Sequence, residues 1–167
     1  MPVIVFRVII MPVPFGEFVP THGQPATPGG RFFFHETLVL EEIDNKKPGQ
    51  GLPTAEAERR AGTHSGIGTT LRHVDAGDPY FPGGGALVQP EATFKLNAVG
   101  GALQGGQITT RGVQHYRDFK PGGIPTYAIT GGTGAYANAR GQVIASDPVE
   151  VVPGRWIDRH KRLEIAM

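Results

Sequence analysis

The sequence predicts an all-β fold of eight strands, and three observations carry that prediction. Chain-turning residues are dense, with 25 Gly and 15 Pro among 167 positions. The runs between them are rich in β-branched and aromatic residues, the pattern of a sandwich or barrel. Stretches of good helix formers are scarce. Gly and Pro together make up ~24% of the chain, just under the roughly 25–30% typical of unstructured low-complexity sequences, so the order of the remaining residues decides for a folded domain.

The predicted strands are Val3 to Met11, Arg31 to Ile43, Thr63 to Val74, Ala86 to Val99, Gly105 to Gln114, Pro125 to Thr130, Arg140 to Ala145 and Asp158 to Met167. Gly83-Gly84-Gly85, Gly100-Gly101, Pro121-Gly122-Gly123 and Pro153-Gly154 separate several of them, supplying the positive or fixed φ that turns require. Pro12 to Gly30 holds five prolines and reads as an irregular connection. Thr54 to Arg60 is the one helix-forming stretch, long enough for two turns at most. The organisation is an N-terminal strand and Pro-rich arm over 1–30, followed by one β-domain over 31–167.

Strand alternation separates faces. In Arg31 to Ile43 one face carries Phe32, Phe34, Glu36, Leu38, Leu40 and Glu42, and the other carries Phe33, His35, Thr37, Val39, Glu41 and Ile43. Both are mostly apolar, so one is expected to look inward and the other to be covered by a second chain or the N-terminal arm. Ala92, Phe94, Leu96 and Ala98 form a cleaner one-sided set. Eight strands closed on themselves enclose just enough space for one small ligand.

Composition removes several function classes. A net charge of +1 argues against a protein built to neutralise many phosphates, so no nucleic-acid partner is expected. With no Cys there is no disulfide framework, thiolate zinc site or cysteine nucleophile. No apolar run approaches the ~20 residues of a membrane span. Val3 to Met11 is too short, and interrupted by Arg7, for a signal segment, so a cytoplasmic location is expected. The histidines at 22, 35, 64, 73, 115 and 160 form no His-x-His pair, so no metal is expected. His115-Tyr116-Arg117-Asp118 reads as a barrel-mouth segment or a solvated loop, and Arg159-His160-Lys161-Arg162 as the exposed face or rim of the last strand.

The most specific segment is Tyr127-Ala128-Ile129-Thr130-Gly131-Gly132-Thr133-Gly134-Ala135-Tyr136, followed by Ala139-Arg140-Gly141-Gln142-Val143. It lacks the Lys-Ser/Thr of a phosphate loop and opens no helix, so a tight barrel corner is the favoured reading. The stretch from Ala128 to Gly134 with Gly141-Gln142-Val143 resembles the signature of allene oxide cyclases. Gly131 to Gly134 with Ala139-Arg140-Gly141 resembles that of dirigent proteins. Gly62 to Gly66, Gly105-Gly106-Gln107-Ile108 and Phe34-His35-Glu36 extend the resemblance over roughly Arg31 to Ala145.

That resemblance implies an eight-stranded antiparallel β-barrel, usually a trimer, that binds a hydrophobic small-molecule intermediate and folds it before cyclisation, isomerisation or coupling. It implies a cofactor-independent cyclase or isomerase of natural-product biosynthesis, or alternatively a non-catalytic carrier or templating barrel. Two registers compete for the acid. Phe34-His35-Glu36 resembles the dirigent Phe-His-Asp and selects Glu36, whereas Glu42-Ile43-Asp44 resembles the cyclase Glu-Ile-Asn and selects Glu42. Glu36 sits between Phe34 and Leu38 on its face, where desolvation is expected to raise its pKa and make it a proton donor. Phe34, Leu38, Asp44, Phe94 and Tyr127 are the expected substrate-binding residues. The cyclases' second-strand Asn and third-strand Cys have no counterpart, and Leu52 to Arg60 does not resemble their second strand.

Overall fold

Each predicted run contributes a strand to the wall of a closed antiparallel barrel, seen in a computed structural model that describes residues 3–10, 17–22, 28–75, 77, 79, 85–115, 123–152 and 155–167. The strands are β1 (Val3–Ile10), β2 (Glu17–His22), β3 (Arg31–Ile43), β4 (Arg60–Val74), β5 (Gly85–Leu96), β6 (Gly106–Arg111), β7 (Gln114–His115), β8 (Thr126–Gly134), β9 (Arg140–Val152) and β10 (Arg155–Ala166). The wall runs β1-β10-β9-β8-β6-β5-β4-β3, and β1 also pairs with β3 to close the ring of eight. The first strand thus fills the sheet position for which the Leu52 to Arg60 segment has no strand. β2 continues beside Arg31 to His35 of β3, and β7 extends the wall beside β5.

Several segments differ from the sequence expectation. Part of the Pro-rich stretch is a strand after all: β2 sits at the edge of the sheet, where a proline's missing donor is tolerated. The helix-forming stretch gives only a 3-10 helix over Glu56–Arg59, because so short a segment cannot offset its nucleation cost. β8 and β9 are longer than expected: β8 runs through the glycine motif, and β9 continues past Ala145 to form a hairpin with β10.

Antiparallel order puts the β3–β4, β5–β6 and β8–β9 connections at one end, called here the lower end; the opposite end is called the upper end. The lower end is plugged. Leu52 from the first connection, Val99 and Leu103 from the second and Tyr136 from the third are all buried against Phe6, Ile43, Leu96 and Ile165. Leu38, Leu40, Val8, Phe94, Ile108, Ile129, Val143 and Leu163 fill the middle, each buried apolar side chain stabilising the fold by about 1.5–3 kcal/mol.

The glycine motif forms the corner that closes this plug. Tyr136 turns inward and donates its hydroxyl to the Gln104 carbonyl at 3.0 Å. A Cβ on Gly132 would collide with the backbone oxygens of Tyr136 and Gln107, so only glycine permits so close a crossing. The tight-corner reading of this segment is the one the structure contains.

A bulge resets the alternation of β3. Arg7 pairs with Glu42 and Val8 with Leu40, leaving Glu41 as the extra residue. Leu40 and Ile43 therefore both face inward, and Glu42 is turned out. Simple alternation, which sets Glu36 and Glu42 on one face, fails here. On the opposite face of β3, Val39 is only 1% exposed within the single chain, so at this position no second chain is needed to cover it. The neighbouring Arg59 guanidinium donates to the Leu40 carbonyl at 2.6 Å, which holds the 3-10 helix segment against β3.

Candidate functional site

Above the apolar filling lies a cluster of buried ionisable side chains. Glu36 of β3 and His64 of β4 occupy partnered positions, as do His64 and Phe94 of β5. All three face inward and are buried. Glu36 Oε2 and His64 Nδ1 are 2.7 Å apart. The imidazole stacks on Phe94 with ring centres 4.1 Å apart and planes 21° apart, and Phe34 meets it at 5.2 Å and 54°.

The inward face of β4 explains why this ring has room. Alternation puts Gly62, His64, Gly66, Gly68 and Thr70 on one face, so His64 stands among residues with little or no side chain. A Cβ on Gly66 would strike the Glu91 carbonyl oxygen and Ala92 on the adjoining strand.

Lys161 reaches the cluster from β10, on the other side of β1. Only 4% exposed, its ammonium donates to the Asp158 carbonyl at 3.0 Å and stands 3.7 Å from Glu36 Oε2. Burial opposes charge on Glu36, but Lys161 and His64 together outweigh it and hold the carboxyl below its ordinary range. The raised pKa expected from Phe34 and Leu38 is therefore not found, because that expectation lacked the buried cation. Glu36 is a carboxylate that can only accept, so His64 Nδ1 carries the proton of their hydrogen bond. Burial pushes the imidazole pKa down against the pull of Glu36, which keeps the ring neutral near pH 7. Its Nε2 then carries a lone pair, with no hydrogen-bond partner among the described residues.

Asp158, 2% exposed, lies beside this group. Its Oδ1 is buried without a hydrogen-bond partner, and burial together with Glu36 and Asp147 raises its pKa to about 6 despite Lys161. It reaches the interior because the alternation of β10 slips. Arg159 and His160 both turn outward, Arg159 bonding to Asp147 at 2.6 Å and His160 standing 3.2 Å from Glu41 and from Asp147. Asp158 and Lys161 on either side of them are left inside. Asp147 itself has a φ of 58°, an irregularity in β9 opposite this slip.

Of the residues singled out by sequence, Phe34, Glu36 and Phe94 meet around His64, with Leu38 in the core directly below Glu36 on the same face. Tyr127 stands across the barrel on β8, half-buried against the core. Glu42 lies outside, its carboxylate 3.8 Å from Arg7. Asp44 sits in the exposed lower turn, where its Oδ1 accepts from the Val5 amide at 3.3 Å. Neither joins the cluster.

His64, Asp158 and Lys161 were missed by the sequence reading. The basic run of the last strand is not uniformly exposed: Lys161 shares an inward face with Leu163 and Ile165, a signal the alternation carried. Tyr116, Arg117 and Asp118 lie outside the described residues. Among the described residues no group of three or more His, Asp or Glu side chains is placed to hold a metal ion, and no helix is long and apolar enough to cross a membrane.

A scan against protein-family models finds no match, and no curated protein matches the sequence. Solved structures do. The chain is similar to a pterocarpan synthase dirigent protein with a TM-score of 0.57 and 18% identity, over 98% of this chain and 84% of that one. It is also similar to a pyocyanin demethylase with a TM-score of 0.54 and 20% identity, over 99% of this chain and 100% of that one. The fold is that of the dirigent-like barrels. In this dirigent-like barrel the closed wall and plugged lower end leave the ionisable cluster nearer the upper end.

Proposed function

We propose that this dirigent-like barrel is a cofactor-independent isomerase or cyclase that folds a hydrophobic small molecule against its upper interior and moves a proton on it. One observation carries the reading: a buried imidazole whose Nδ1 lies 2.7 Å from a buried carboxylate and whose Nε2 has no hydrogen-bond partner among the described residues. A carboxylate behind a histidine sets the tautomer and stabilises the imidazolium that forms when the ring takes a proton. The stacked Phe94 face adds a favourable surface for that cation.

In the isomerase step, Nε2 removes a proton from a carbon next to a carbonyl. The C–H electron pair moves into the conjugated system and onto the carbonyl oxygen, so the developing negative charge is spread over that system. The imidazolium Nε2–H exchanges with solvent and then delivers a proton to another carbon of that system, so no oxidant or reductant is consumed and solvent hydrogen enters the product. The apolar wall restricts the substrate to a reactive conformer, which supplies the proximity contribution. Glu36 acts through His64 as a positioning residue.

The chain is proposed to act in natural-product biosynthesis as a homotrimer in the cytoplasm. Support for self-association comes from the outer face of β4, β5 and β6, which bears exposed Ile67 and a shallow groove of about 430 Å³ lined by Ser65, Thr93 and Thr109.

The test uses ligands captured from a crude small-molecule extract and identified by mass spectrometry. Incubated with the protein in D2O, the captured ligand is expected to gain carbon-bound deuterium with wild type and not with His64→Ala. A ligand retained without deuterium uptake in wild type would make the protein a carrier.

A further inference from the structure

We propose that Asp158 and Lys161 form a seat for a neutral hydrogen-bonding group of the ligand, a hydroxyl or an equivalent O–H or N–H donor, and that a carboxylate is refused there. The inference rests on the small-molecule reading above and adds the chemistry of the group that is bound.

A buried carboxyl oxygen without a partner is costly unless something occupies it, and Asp158 Oδ1 is such an atom in a side chain only 2% exposed. Nothing among the described residues satisfies it: the neighbouring ammonium of Lys161 is spent on the Asp158 main-chain carbonyl, not on its carboxyl. An ammonium has three donors. Lys161 directs one at that carbonyl and leans toward Glu36 at 3.7 Å, which leaves capacity to donate to a ligand oxygen. A hydroxyl accepts from Lys161 and donates to Asp158 in one place, so it satisfies both.

Charge selects further. Among the described residues the cluster holds one cation, Lys161, against the Glu36 carboxylate and the Asp158 carboxyl, with a neutral imidazole between aromatic rings. A ligand carboxylate would add an anion to a site already balanced or negative, with no free guanidinium or second ammonium among the charges acting on it. The slip of β10 at Arg159 and His160 gives the arrangement its geometry, since strict alternation from Lys161 would have turned Asp158 outward.

The experiment compares three probes of one shape, 2-naphthalenemethanol, 2-ethylnaphthalene and 2-naphthoate, by calorimetric or fluorescence titration against wild type, Asp158→Leu and Asp158→Asn. Wild type is expected to bind the alcohol at least tenfold more tightly than the hydrocarbon, and the carboxylate more weakly than either. Asp158→Leu should abolish the preference for the alcohol while still binding the hydrocarbon, which shows that the barrel is intact. Asp158→Asn, which keeps an accepting oxygen, should retain most of the preference. Equal affinities for alcohol and hydrocarbon in wild type, a preference that survives Asp158→Leu, or tightest binding of the carboxylate would each overturn the seat while leaving a ligand-binding barrel standing. Failure of all three probes to bind would overturn the seat together with the small-molecule reading.

Discussion

Glu36 and His64 face one another across the β3–β4 ladder with 2.7 Å between Oε2 and Nδ1, inside a wall whose lower half is filled with apolar side chains. This pairing joins an acid legible in the sequence to a histidine that was not singled out, and it sets the role of each. The acid is held ionised and the ring is held neutral.

Replacing Glu36 with Gln removes the carboxylate that fixes the tautomer and stabilises the imidazolium. Deuterium uptake into the captured ligand should slow by ~10²-fold or more, the scale of general acid–base assistance. Glu42→Gln, at an outward residue paired with Arg7, should leave uptake unchanged. The opposite pattern would return the acid to Glu42.

Lys161 and Glu36 should be coupled in stability. Lys161→Met leaves the buried Glu36 carboxylate without its cation, a loss of about 3–5 kcal/mol for a broken buried pair. The double substitution Glu36→Gln with Lys161→Met removes both charges and should cost less than the sum of the single changes, read by denaturant unfolding. Additive losses would show that the two charges do not interact.

Asp158 gives a pH dependence of defined sign. Its folded pKa of about 6 lies above the ordinary 3.8, so the folded state binds the proton more tightly. Relative to the unfolded chain this group stabilises most at pH values below its ordinary pKa, and that advantage is lost as pH rises to about 6. Asp158→Asn should therefore be more stable than wild type at pH 8 by about 2–3 kcal/mol, with the difference shrinking toward zero near pH 4. Thermal unfolding at the two pH values checks it, and a variant advantage that grows toward low pH would refute it.

Gly66→Ala should destabilise the barrel by about 2 kcal/mol or more, because the added carbon meets the Glu91 carbonyl and Ala92 with no flexible side chain to move aside. A neutral effect on the unfolding midpoint would show that the β4–β5 ladder gives way.

Light scattering at micromolar concentration should report three copies, and Ile67→Arg, placed on the exposed outer face of β4, should shift the mass toward one copy. A wild-type monomer would end the oligomer reading.

The barrel was legible because its strands announce themselves by composition and its turns by Gly and Pro, and because the segment from Gly131 to Gly134 demands a tight corner. The site was legible only in part. Glu36, Phe34 and Phe94 follow from alternation along regular stretches of β3 and β5, whereas Glu42 was misassigned because a bulge at Glu41 is a property of the β1–β3 pairing and not of either strand alone. Lys161 was readable from the Leu163 and Ile165 face, but a basic run invites a solvent reading. Asp158 was not readable, since the slip that turns Arg159 and His160 outward arises from their partners Asp147 and Glu41 on other strands.

The most direct test of the neutral, carboxylate-held base is the nitrogen NMR spectrum of His64 at pH 7, assigned by comparison with His64→Gln. The account predicts a neutral ring protonated on Nδ1, with an unprotonated Nε2 that titrates below the ordinary histidine range. A doubly protonated ring at pH 7, or a neutral ring carrying its proton on Nε2, would contradict it.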